Sequence, residues 1–238
     1  MTRENVLITG ASRGIGLALA KRFAEEGCFV IATCRNPDKA DELKAIEQEH
    51  EGAVRVIELD VALDESVEQA VNSVFGVVDR LDVLFNNAGI KVGELTDNLE
   101  AVNLDDFHES FETNTIAPVR MVRAFLPLLE KSDNGRVVNM SSGLGDIGNH
   151  RGSIPSYVYG VSKAALNFLT RAMADELKSR GVTVVAITPG WVRTRMGGEN
   201  ADLAPDESAR DIVETVKSFT EKDAGKWFNR DGEERVTW

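Results

Sequence analysis

The sequence predicts an α/β fold: a doubly wound parallel sheet of about seven strands with helices on both faces. Three observations carry this expectation. Short apolar runs alternate with helix-length segments almost from end to end. The runs are continuously apolar rather than alternating, as strands covered on both faces are. The first run leads through a glycine-rich turn, Thr9-Gly10-Ala11-Ser12-Arg13-Gly14-Ile15-Gly16, straight into a helical stretch.

Taken in order, strands are predicted at 6–9, 29–32, 54–59, 81–85, 136–140 and 182–187, with a short seventh around 226–228. The first helix runs from Ile15 through Phe23 and ends near Gly27. Asn36-Pro37-Asp38 reads as a helix start: a capping amide, proline at the first helical position, and a carboxylate in the first turn. Asp64 is the expected cap of the helix after the third strand. A long helical stretch spans 105–131, bent or interrupted by Pro118 and Pro127. Another runs from about 156 to 179 and is stopped by Gly181. A last amphipathic helix occupies 207–219. Helical crossovers between successive strands imply a single sheet, and the chain shows no repeat or low-complexity linker that would divide it.

Composition removes several classes of function. A formal net charge of −12 disfavours nucleic acid and anionic membranes, which are bound through clustered Lys and Arg. No apolar run approaches the roughly 20 residues of a membrane span. No signal-peptide pattern precedes the first strand, so the expected location is the cytoplasm. Cys28 and Cys34 are the only cysteines. Six residues of one extended strand at about 3.3 Å each hold them about 20 Å apart, beyond the roughly 7 Å reach of a disulfide. Buried, reduced thiols suit the same compartment. His50, His108 and His150 are scattered without ligand spacing, and no metal site is expected.

The remaining polar residues suggest chemistry. Glycines in the first turn allow close approach of a pyrophosphate to the helix N-terminus, although the spacing is G-x-x-x-G-x-G rather than G-x-G-x-x-G. The second strand ends Ala32-Thr33-Cys34-Arg35-Asn36, without the carboxylate that holds ribose hydroxyls in NAD sites. Arg35 and Arg13 instead offer guanidinium groups to a 2′-phosphate. For Arg35 a solvated strand-end charge is the plain alternative, and Asp38 would favour NAD if it reached the ribose. Tyr159 and Lys163 stand four residues apart on one helix face. An ammonium beside a phenol stabilises phenolate, which would bring Tyr159 down from about 10 and make it a proton donor and acceptor. Tyr157 has Val161 at the same spacing and so lacks that support.

The turn Thr-Gly-x-x-x-Gly-x-Gly at 9–16, Asn86-Asn87-Ala88-Gly89, the Tyr159…Lys163 pair and Pro189-Gly190 resemble the motifs of the short-chain dehydrogenases/reductases, single-domain branch. The likeness runs from Val6 to about Gly198. It implies a Rossmann fold and a single domain over 1–238, with a cofactor half to about 135 and a catalytic half beyond. It implies NADP(H) as cofactor, NAD(H) being the lesser alternative. Gly10, Ser12, Arg13, Gly14, Ile15 and Gly16 would line it, with Arg35 at its phosphate. Asp60 would meet the adenine amino group, a turn role being the alternative. Asn87 and Gly89 would support the sheet and pass near the adenine ribose. Pro189, Gly190, Val192 and Thr194 would present the nicotinamide, and Lys163 would also hold its ribose. By the family pattern the second serine of Ser141-Ser142 holds the substrate oxygen. Asn114 is the fourth member of a Ser-Tyr-Lys-Asn set, bracing a helix and holding a water connected to Lys163.

The closing stretch, with Met196-Gly197-Gly198, Gly225-Lys226-Trp227-Phe228 and Asp231-Gly232, resembles the C-factor and Sniffer-like carbonyl reductase branch. Arg195 departs from it, standing where an acid is expected. The implied activity is NADPH-dependent reduction of an aldehyde or ketone. Leu144, Ile147, Trp191 and Met196 are expected pocket walls, with core packing as the alternative, and residues 149–155 are expected to shape the entrance. The implied partners are a small carbonyl or alcohol substrate and a second copy in a homodimer. An NAD-linked alcohol dehydrogenase, or a nucleotide-binding signalling protein without turnover, are the competing functions.

Overall fold

The seven apolar runs pair into one parallel sheet. The computed structural model describes residues 3–93, 99–148 and 157–238. In chain order it contains β1 (Asn5–Ile8), α1 (Gly14–Glu25), β2 (Phe29–Cys34), α2 (Asp41–Glu49), β3 (Val54–Glu58), α3 (Asp64–Phe75) and β4 (Val83–Asn86). After these come α4 (Asp105–Phe111), α5 (Ala117–Leu129), β5 (Gly135–Met140), α6 (Tyr157–Leu177), β6 (Val182–Thr188), α7 (Pro205–Ser218) and β7 (Trp227–Asn229). The strand order is β3-β2-β1-β4-β5-β6-β7. Val6 of β1 lies opposite Val30 on one side and Val83 on the other.

Period-two alternation divides the core between the two faces. Val6, Ile8, Val30, Phe85 and Val138 pack on one side with Leu19 and Phe23 of α1 and Ile212 and Val216 of α7. Leu7, Ile31, Leu84 and Val137 pack on the other with Val67 of α3, Phe125 of α5 and Leu177 of α6. Because both faces are covered, the central strands carry no polar alternation, as expected. Crossovers run in opposite directions from β1, so a crevice opens outside the carboxyl ends of β1 and β4, where ligands bind in doubly wound sheets.

Four local expectations are corrected. Asn36 does not cap α2: Pro37–Lys39 form a short 3-10 turn, and Ala40 precedes the helix. Asp64 is the first residue of α3 rather than its cap, and it pairs with Arg120. The helix predicted at 105–131 is three pieces, with a π turn at Glu112–Ile116 between α4 and α5. A regular helix would leave the carbonyl of Asn114 facing Pro118, which has no N–H to give it, and the wider turn falls at that position. Pro127 sits inside α5 without ending it. The helix read from 207 begins earlier, at Pro205 in the first helical position. Gly181 does end the long helix, with φ of 73°, after the 3-10 turn Lys178–Arg180. Residues 149–155, expected at the entrance, lie outside the described residues.

Candidate active site

The glycine turn closes over the carboxyl end of β1. Gly10 adopts φ of 68°, and a Cβ there would lie 2.9 Å from Ala88 Cα. At Gly16 a Cβ would meet Gly10 O at 2.4 Å and Asn87 Nδ2 at 2.5 Å, so only glycine lets α1 start this close to β4. Asn87 ties the two together: its Nδ2 donates to Thr9 O (2.8 Å) and Gly10 O (3.1 Å). Thr9 Oγ1 accepts from the N–H groups of Asn87 and Ala88, both at 3.0 Å. Ile15 packs on the core and Ser12 is half-buried in the turn. The residue before α1, Arg13, makes no side-chain cap, which leaves the first N–H groups of the helix turned toward the crevice.

Positive charge stands at the rim. Arg13 and Arg35 are both exposed, Arg35 directly after β2. Asp38 is turned to a different partner, Lys44, at 3.2 Å. Asp60 follows β3 and holds the turn there: its Oδ1 accepts from Ala62 N at 3.0 Å, while its own N–H donates to Ser66 Oγ at 2.8 Å. From the far side, the segment after β6 reaches back to the glycine turn. A Cβ on Gly14 would lie 3.2 Å from Thr194 Cγ2. Pro189 O accepts from Ser208 Oγ at 2.8 Å, Gly190 has φ of 82°, and Val192 bridges to Leu203. Thr194 Oγ1 accepts from Gly197 N at 3.1 Å.

Between these two arms the polar side chains converge. Ser142 follows β5, and its hydroxyl accepts from Leu144 N at 3.2 Å and lies near enough to Tyr159 to affect its ionisation. Ser141 points elsewhere, donating to Asn167 Oδ1 at 2.5 Å. Lys163 Nζ lies 5.7 Å from the Tyr159 ring centroid and donates to Met140 O at 2.8 Å. A Cβ on Gly89 would come within 3.5 Å of Lys163 Nζ and 3.2 Å of Asn114 Oδ1. Asn114 is fully buried within the π turn and clasps the backbone of Ile90, accepting its N–H at 2.8 Å and donating to its carbonyl at 2.9 Å. Its amide also donates to Ser110 and Ser162 hydroxyls. Tyr157 is exposed and takes no part in the cluster.

The expected mutual tuning of Tyr159 and Lys163 is corrected. Burial pushes Tyr159 up to about 12, against the lowering influence of the nearby Ser142 hydroxyl. Burial pushes Lys163 down to about 8. Desolvation of each group therefore outweighs their attraction. The phenol is held as a protonated donor at neutral pH.

Ser162 was not singled out from sequence. Its hydroxyl donates to Tyr159 O at 2.7 Å and accepts from Asn114, linking two site residues. Its signal is a hydroxyl three residues after Tyr159, on the same helix face. Of the expected pocket walls, Ile147, Trp191 and Met196 are exposed and Leu144 is half-buried, so none of them is core. A cavity of about 660 Å³ opens at the opposite edge of the sheet, beside Asn5, Phe29 and Val78, away from every residue of this cluster. Among the described residues, no group of three or more His, Cys, Asp or Glu could hold a metal, and no helix is long and apolar enough to cross a membrane.

The family model described as short chain dehydrogenase matches residues 4–204. The chain belongs to this family of oxidoreductases. It is 34% identical over 256 aligned residues to an uncharacterised oxidoreductase of Schizosaccharomyces pombe, covering 97% of each chain. Its fold superposes on an NADPH-bound carbonyl reductase from chicken fatty liver with a TM-score of 0.92, at 33% identity and 100% coverage of both chains. The carbonyl reductase Sniffer of Drosophila melanogaster gives the same TM-score at 32% identity, again over 100% of both chains.

Proposed function

We propose that the chain is an NADPH-dependent reductase of aldehydes or ketones, a single domain in which Ser142, Tyr159, Lys163 and Asn114 form the active site. The observation that carries this reading is the gathering of Tyr159, Ser142 and Lys163 at the carboxyl edge of the sheet, with the Lys163 ammonium 5.7 Å from the Tyr159 ring centroid. A phenol with a hydroxyl and an ammonium beside it is arranged to act on one substrate oxygen. Likeness to the chicken NADPH-bound carbonyl reductase supports the same reaction.

The residues present fit the cofactor. The glycine turn has no side chain where a pyrophosphate would approach, and α1 presents uncapped N–H donors. Arg13, just before α1, and Arg35, just after β2, are exposed cations of the kind a 2′-phosphate would need, and no carboxylate ends β2. Asp60 would face the adenine, Asn87 and Gly89 the adenosine ribose, Lys163 the nicotinamide ribose, and Val192 and Thr194 the carboxamide. When bound, NADPH supplies the hydride.

This chain's own residues handle the oxygen and its proton. Ser142 donates to the carbonyl oxygen and stabilises charge developing on it. Tyr159, kept protonated by burial, gives its proton to that oxygen as general acid. Lys163, charged at neutral pH, lies against the ring and stabilises the phenolate that results. Asn114 holds the Ile90 backbone, and with it the Gly89 approach to Lys163. Exposed Ile147, Trp191 and Met196 favour an apolar or aromatic substrate. Ile116, Val161 and Phe168 are exposed on and beside the helices carrying Asn114 and Tyr159, which supports a homodimer. Cys28 and Cys34 are buried free thiols, which supports a reducing cytoplasmic setting.

The test is loss of NADPH absorbance with a panel of aldehydes, ketones and quinones, run in parallel with NADH. Turnover of at least one carbonyl, with NADPH preferred, is the expected result. A panel on which neither cofactor is consumed would remove the reductase reading.

A further inference from the structure

The segment after β7 returns to the loop that follows Ser142. Its residues Arg235 and Thr237 both end on one carboxylate, Asp146, at 2.7 and 2.9 Å. Asp146 is buried, 4% exposed, and a buried carboxylate is costly unless it is paired and hydrogen-bonded. Gly148 N donates to Trp238 O at 3.0 Å, giving a second tie between the same two segments. At Gly148 a Cβ would lie 2.9 Å from Thr237 Cβ, so the segments are in direct contact.

The far end of this strap is anchored on the sheet. Arg235 N donates to Trp227 O at 2.7 Å, and its guanidinium lies 4.4 Å from the Trp227 ring centroid. The Trp238 ring lies 5.7 Å from the Trp227 ring, tilted by 43°, and the Arg171 guanidinium of α6 lies over the Trp238 ring at 5.4 Å. Trp227 is fully buried and donates through Nε1 to Thr188 Oγ1 of β6 at 2.8 Å.

The near end bears on the reacting groups. Between Ser142 and Asp146 the chain makes one tight turn, with Leu144 N on Ser142 Oγ (3.2 Å) and Gly145 N on Ser142 O (2.9 Å). That turn lies directly on α6. A Cβ on Gly145 would sit 2.8 Å from the Lys163 carbonyl carbon and 2.9 Å from Lys163 Cβ, and one on Gly160 would sit 2.9 Å from Leu144 O. A displacement of the turn therefore moves Ser142 relative to Tyr159 and Lys163.

We propose that Asp146 is a positioning residue: strapped by Arg235 and Thr237, it fixes the Ser142 turn against the helix that carries Tyr159 and Lys163. Its catalytic consequence rests on the reductase reading above; the mechanical part does not. Two variants test it, Asp146→Asn and the milder Thr237→Val, with Arg235→Lys as the conservative control. Without substrate, amide hydrogen exchange at residues 144–148 rises about tenfold in both variants, while exchange at Gly14–Gly16 stays unchanged. In turnover, kcat falls about tenfold with KM for NADPH unchanged, and Arg235→Lys keeps most of the rate.

A double-mutant cycle separates positioning from general stability. In a Ser142→Ala background, Asp146→Asn costs little further kcat, because the group it positions is gone. Exchange that is unchanged at 144–148, or that rises evenly through the sheet, overturns the proposal. So does an equal loss of kcat with and without Ser142. If Asp146→Asn does not fold, Thr237→Val decides alone. Wild-type protein that turns over no carbonyl refutes the reductase reading, and the exchange result still decides the strap.

Discussion

Replacing Lys163 by methionine should make the cofactor-free protein more stable at neutral pH while removing its activity. Lys163 is buried, and burial lowers it from 10.5 to about 8. Holding the charged form inside the native state therefore costs about 3 kcal/mol at pH 7, at 1.36 kcal/mol per pH unit. Methionine has a similar volume and no charge to desolvate, but leaves Met140 O without its 2.8 Å donor, a loss of about 1 kcal/mol. The expected net gain at pH 7 is about 2 kcal/mol. Its pH dependence is the sharper test. Below pH 8 the lysine is charged in both folded and unfolded chains, and the cost is constant. Between about 8 and 10.5 the unfolded chain binds the extra proton, so wild-type stability rises with pH and the gap to Lys163→Met closes. Tyr159 acts in the opposite direction, with stability lost from 10 toward about 12, but it is present in both proteins and cancels in the difference. Urea unfolding of the two proteins without NADPH, from pH 7 to 10.5, measures this. A difference that does not change across that range would refute the placement of Lys163 as a desolvated cation.

Three further outcomes follow from the site. Arg35→Asp should weaken NADPH binding by about tenfold or more while affecting NADH far less, since it removes a charge-assisted phosphate contact; equal Kd values for NADPH in both proteins, by fluorescence titration, would reject the assignment. Gly16→Ala puts a methyl group 2.4 Å from Gly10 O and 2.5 Å from Asn87 Nδ2, and the expected loss is about 1–3 kcal/mol in thermal unfolding together with weaker NADPH binding. Asn114→Ala removes the clasp on Ile90 and leaves its backbone groups unpaired in a half-buried site, so both Tm and kcat should fall; an unchanged kcat would show that Gly89 and Lys163 hold their places without it.

Much of this molecule was legible because its signals are local. Strands enclosed on both faces are largely apolar, so their order along the chain is readable, and the seventh strand is visible from Trp227 and Phe228. The glycine turn was readable because Gly10 and Gly16 answer to backbone contacts that no other residue permits. Tyr159 and Lys163 were readable because four residues of helix place them on one face. What escaped depends on distant partners. Asp64 resembles a cap until Arg120, from a helix 56 residues later, draws it into an ion pair. The direction of the Tyr159 and Lys163 shifts follows from how deeply the fold buries each, which spacing alone does not reveal. The clasp of Asn114 on Ile90 joins a π turn to the loop after β4, and Asp146 meets Arg235 across 89 positions of sequence.

The central claim is that Tyr159 delivers the proton to a carbonyl oxygen. Its most direct test is Tyr159→Phe, assayed for NADPH binding by fluorescence and for carbonyl reduction by NADPH absorbance. The expected result is a Kd for NADPH within about twofold of wild type and a kcat lowered by about 10²–10⁴-fold. A Tyr159→Phe protein that binds NADPH and still reduces the same carbonyl at the wild-type rate would contradict it.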